Sequence, residues 1–151
     1  MGARRRGREL ALQALYQIEV SGETAGTLKA FFEQAEAGDR AKGFAAALVA
    51  GVRERQEQID KLIAAASEHW RFERLSRVDL SVLRIAGYEL LAHNAPTSVV
   101  LDEAIEIARR FGTEESATFV NGILDQIAAQ LGVKDAPGEP APREPEMDDD
   151  D

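Results

Sequence analysis

Four arginines stand within the first eight residues, Arg4, Arg5, Arg6 and Arg8, with no acidic residue among them. A guanidinium is planar and permanently charged, grips phosphate through paired N–H donors and stacks on unpaired bases. The chemistry such a cluster offers is therefore anion or nucleic-acid recognition, and arginine-rich segments can stay unstructured until RNA orders them. A charged, frayed terminus that binds nothing specific accounts for the same residues. They precede the first apolar face, so removing them is expected to leave the fold intact.

Other reactive side chains form no pattern. His69 and His93 stand alone on different segments, and the chain has no cysteine to complete a zinc shell. They read as surface or interface histidines. Asp102, Glu103 and Glu106 bunch at a helix start, where the helix dipole favours carboxylates without any catalytic role. No glycine-rich phosphate loop and no serine nucleophile motif occur. These absences argue against an enzyme, and no cofactor or metal is expected.

The formal net charge of −9 is unevenly spread. Residues 133–151 hold eight acidic and two basic residues, leaving 16 basic against 19 acidic in residues 1–132. A nearly neutral body thus carries a basic head and an acidic tail. No segment approaches the roughly 18 apolar residues of a membrane span, and no apolar leader follows the arginines. A soluble protein of the cytoplasm is expected.

Chemistry of this kind must be positioned by helices. Leu10, Ala11, Ala14, Leu15 and Ile18 form one apolar face, ending before Gly22. Leu28, Phe31, Phe32 and Ala35 form a second, with Asp39 as a cap for the third. Across residues 40–68 the helical spacing of Phe44, Ala47, Leu48, Gly51, Val52, Ile59, Leu62, Ile63 and Ala66 fits one long helix or two. Ser76 with Asp79 suits a capping box ahead of Leu80, Leu83, Gly87, Leu90 and Leu91. Asn94-Ala95-Pro96 stops that helix, because the residue before proline leaves the helical region. Ala104, Ile107, Ala108 and Phe111 follow, and then Thr113 caps a last helix carrying Val120, Ile123, Leu124, Ile127 and Leu131.

The class is all-α, about six or seven helices in two small packed bundles, because such short connections make neighbours pack antiparallel. Residues 1–132 form the helical domain. Residues 133–151, with four prolines and few apolar side chains, are expected to be disordered. Trp70 and Phe72 read as a plug at a helix crossing or as a partner surface. Tyr16 and Phe119 lie beside apolar faces, and the periodicity puts Phe119 at the edge.

Five blocks, taken in order, resemble the NusB family. They are Arg4-Arg5-Arg6-Gly7-Arg8-Glu9-Leu10-Ala11-Leu12-Gln13-Ala14-Leu15-Tyr16; Gly51-Val52 with Ile59-Asp60; and Asp79 with Leu83-Arg84-Ile85-Ala86-Gly87-Tyr88-Glu89-Leu90. The last two are Asp102 to Ala108 with Phe111-Gly112, and Phe119-Val120-Asn121-Gly122-Ile123-Leu124-Asp125. Gly7 stands where the family usually has alanine, costing about 1 kcal/mol of helix propensity, so a looser head is expected. Asp102 replaces the usual asparagine.

The resemblance implies a non-catalytic transcription antitermination protein. Such a protein pairs with NusE, a small-subunit ribosomal protein, and the two bind single-stranded boxA RNA of ribosomal transcripts, helping the transcription elongation complex resist termination. Carried over by motif, the RNA-facing positions are Arg4, Arg5, Arg6, Arg8, Tyr16, Glu115 and Phe119, and Asp79 falls on the NusE face. Two rival readings are a piece of a ribosomal-RNA cytosine methyltransferase, some of which carry a NusB-like domain, and a bundle that binds only proteins.

Overall fold

The computed structural model describes residues 2–22, 26–67 and 75–133. Within them lie seven helices and no strand: α1 Ala3–Ser21, α2 Thr27–Gln34, α3 Asp39–Glu54, α4 Gln56–Ala66, α5 Arg77–Ala92, α6 Thr97–Phe111 and α7 Glu114–Leu131. His69, Trp70, Phe72 and the tail expected to be disordered lie outside the described residues, apart from Val133.

Local chemistry sets most of the boundaries. The Ser76 hydroxyl accepts from the Asp79 N–H at 3.0 Å and the Thr113 hydroxyl from the Ser116 N–H at 3.0 Å. Each thereby satisfies one of the orphan donors at a helix start. α5 ends ahead of Pro96 with His93 in the left-handed region at φ 54. α7 ends on Gly132 at φ 70, and the Val133 N–H reaches back to the Ala128 carbonyl at 3.0 Å, the bond that closes a Schellman end. Asp39 does not cap: Gly38 holds that position without a side-chain bond, and Asp39 is the first residue of α3. There it still favours the positive helix end. The stretch from 40 to 68 contains two helices, broken at Arg55 (φ −111, ψ 17).

Two bundles share one continuous core. α1 lies along α3, α6 pairs with α7, and α5 runs between them, touching α1, α3, α4, α6 and α7. Leu10, Leu48, Ile59, Ile63, Leu83, Leu124 and Ile127 are among its largest fully buried side chains. Ala47 turns to solvent, whereas Ala45 and Val49 go inside. The inward stripe of α3 therefore runs through Ala41, Ala45, Leu48, Val49 and Val52.

Two of the glycines at close helix crossings have clear steric reasons. A Cβ on Gly51 would lie 2.2 Å from the Tyr88 ring. A Cβ on Gly7 would lie 2.7 Å from Phe44 Cδ2 and 3.0 Å from the Ala41 carbonyl. The expectation that Gly7 loosens the basic head is overturned by this contact. α1 is helical from Ala3, and the missing side chain is what lets it approach α3.

Candidate RNA and partner interface

The first two turns of α1 aim the four arginines in different directions. Arg8, expected to face RNA, points into the protein instead. Its Nε and Nη2 donate to the two Glu89 oxygens of α5 at 2.9 and 3.0 Å, with both side chains 3% exposed or less. Arg5 makes a second forked pair, donating to both oxygens of Glu103 on α6 at 2.9 and 2.7 Å. These hydrogen bonds from Arg5 hold the Glu103 carboxyl below its ordinary range; partial burial opposes the shift, and the charges of Arg5 and Arg8 reinforce it.

Arg6 donates to Glu9 at 3.4 Å and to the Glu36 carbonyl at 3.2 Å. Arg4 donates to the Asn94 carbonyl at 3.4 Å, and the Arg4 and Arg8 guanidiniums lie 5.5 and 5.4 Å from the Phe44 ring centre. The basic head is therefore a set of oriented ion pairs and not a loose cationic arm.

Asp79, Glu115 and Phe119 come together elsewhere. They line one open groove of about 1060 Å³ formed by the end of α4, the start of α5 and one face of α7. Glu115 and Phe119 are one helical turn apart on α7, as their spacing requires. Phe119 is half-buried, packing against the core while bordering the groove. Asp79 Oδ1 is buried and has no hydrogen-bond partner among the described residues. Such an acceptor costs about 1–3 kcal/mol until a donor reaches it.

Tyr16 borders a second depression of about 550 Å³, with Leu12, Val20, Phe31, Val78 and Phe111 among its walls. Tyr16 is 42% and Val20 50% exposed, the two large apolar side chains turned furthest outward among those described. Val78 borders this depression and Asp79, next along α5, borders the groove.

A sequence model described as the NusB family matches residues 5–129. The transcription antitermination protein NusB of Geobacter sulfurreducens is 51% identical over 134 residues, covering 87% of this chain and 97% of that protein. The chain belongs to the NusB family. Among solved structures, T. maritima NusB superposes with a TM-score of 0.75 at 43% identity, covering 84% of this chain and 91% of that one. A complex of the antitermination factors NusB and NusE with dsRNA contains a chain with a TM-score of 0.73 at 26% identity, covering 85% of this chain and 97% of that one.

The NusB-family match spans every carried-over position except Arg4. Two residues that sequence reasoning missed join the arginine head to the groove. Arg110 pairs with Glu9, the carboxylate that also receives Arg6, and its guanidinium lies 5.5 Å from the Phe111 ring centre. Arg109 pairs with Glu106 at 2.9 Å and with Glu114 at 3.1 Å, and Glu114 lines the groove. Their one sequence signal is a pair of cations in the last turn of α6, which also suits the negative helix end.

Proposed function

We propose that this protein is a non-enzymatic, cytoplasmic antitermination factor that binds single-stranded boxA RNA of ribosomal transcripts jointly with a NusE-type ribosomal protein. In that role it acts on the transcription elongation complex. The observation that carries the reading is the convergence of Asp79, Glu115 and Phe119 on one groove. An aromatic ring at the edge of an open groove is a platform for a base, and only an unpaired base can lie on it. The unsatisfied oxygen of Asp79 suits a donor from the protein partner. Arg4, Arg5 and Arg6 face the RNA backbone beside Tyr16, while Arg8 acts from inside by holding α1 against α5. A NusB relative solved with NusE and dsRNA supports the association with a NusE-type protein and with RNA.

The test is fluorescence anisotropy of a labelled boxA-like single strand, with and without NusE, against the same sequence as a duplex. The joint complex should bind the single strand at least about tenfold tighter than either protein alone, and tighter than the duplex. Equal affinity with and without NusE, or preference for the duplex, would overturn the reading.

A further inference from the structure

We propose that Arg6, Glu9 and Arg110 form a preorganised clamp for one phosphate group of the RNA backbone, with Arg110 as a phosphate-contacting residue and Glu9 as a positioning residue. The inference rests on the RNA-binding reading above and adds residues to it.

Most of the arginines in the described residues are matched by carboxylates. Arg5 and Arg8 face Glu103 and Glu89, two cations against two carboxylates. Arg109 meets two carboxylates, Glu106 and Glu114, and Arg84 meets Asp60 and Glu19. The cluster around Glu9 is different: a single carboxylate, 3% exposed, receives both Arg6 and Arg110. Two guanidiniums on one carboxylate leave an excess positive charge where the side chains reach the surface, Arg6 at 32% and Arg110 at 46% exposure.

Both heads are also held. Arg6 is tied to the Glu36 carbonyl at 3.2 Å, and Arg110 lies against the Phe111 ring. A guanidinium has five N–H donors, so each retains donors beyond those bonds. Two oriented forks with a net charge of one suit a phosphate oxygen pair, and holding them in advance lowers the ordering cost of binding. The position suits a strand running from the head to the Tyr16 depression, because Phe111 borders that depression.

The experiment compares wild type, Arg110→Gln, Arg110→Lys and Glu9→Gln as full chains with NusE and a boxA-like single strand across 0.05–0.5 M salt (about a tenfold range). Each phosphate contact contributes about 0.7 to the log-affinity versus log-salt slope. Arg110→Gln should flatten the slope by about 0.7 with the helical fold retained by circular dichroism, and Arg110→Lys should restore most of the slope but not all of the affinity. Glu9→Gln separates positioning from charge. It adds net positive charge, so weaker binding supports the clamp and tighter binding overturns the positioning role.

An RNA-independent arm distinguishes failure of the clamp from failure of the RNA reading. Inorganic phosphate is titrated while the Nε–H resonances of Arg6, Arg110 and Arg84 are followed by NMR. Shifts at Arg6 and Arg110 but not at Arg84 support the clamp even if no RNA binds. An unchanged salt slope in Arg110→Gln together with unmoved resonances overturns it.

Discussion

Replacing Arg8 by alanine should cripple the fold while leaving the RNA salt slope almost untouched. The guanidinium and Glu89 form a forked pair at 2.9 and 3.0 Å, and neither side chain is more than 3% exposed. Around them stand Val82, Ile85, Val100, Ala104 and Ile107, with a residual cavity of only about 10 Å³, at the lower limit for a single water. Alanine at position 8 would leave the Glu89 charge with no cation and little solvent, and breaking one side of a buried pair costs about 3–5 kcal/mol. Water entering the vacated volume favours the lower end of that range.

For a helical domain of this size, about 3–4 °C is lost per kcal/mol, so melting followed by circular dichroism should fall by about 10–15 °C. Glu89→Gln should destabilise as well. The double variant Arg8→Met with Glu89→Leu should recover most of the loss, because an apolar pair of similar volume removes both desolvation penalties. An Arg8→Ala protein that melts within about 3 °C of wild type, with a salt slope flattened by about 0.7, would refute the reasoning and return Arg8 to the RNA face.

Three further outcomes are expected. Phe119→Ala should weaken boxA binding by about 1–3 kcal/mol per lost stack and Glu115→Lys should strengthen it; a Phe119→Ala variant that loses more than about 3 kcal/mol of stability, with RNA-neutral Glu115→Lys, would make Phe119 a core residue. Gly7→Ala should lower the melting temperature although alanine is the better helix former by about 1 kcal/mol, because its Cβ would press on Phe44 and the Ala41 carbonyl; a higher melting temperature would show that α3 yields. The hydrogen bonds from Arg5 lower the folded pKa of Glu103 below its unfolded value. That stability is therefore present above the unfolded carboxylate range and lost as pH falls through the lower folded value. Arg5→Ala should flatten the acid limb of a stability–pH curve, and an identical limb would remove Glu103 from the account.

What the sequence determined by itself was most of what is governed by neighbours along the chain, the Asp39 cap being the exception. Ser76, Thr113 and Pro96 mark helix ends because the groups they satisfy or remove lie within four residues. The stripes of α5, α6 and α7 follow from a 3.6-residue period. The family blocks, read in order, pointed to the same helical fold and to Glu115 and Phe119 as a pair.

Tertiary structure decided what depends on distant partners. Four similar arginines in one segment have separate fates because Glu89 and Glu103 are 81 and 98 residues away from the guanidiniums they receive. Gly7 looked like a weak point until Phe44 and Ala41 stood against it. The period of α3 continued smoothly past Arg55, so only packing on α5 could show where the helix broke and that Ala47 turned outward. Arg110 had no distinguishing neighbours in the sequence. It joined Arg6 only when α6 brought it to Glu9, 101 residues away, because ion pairs are formed by proximity in space and leave no periodic trace in the chain.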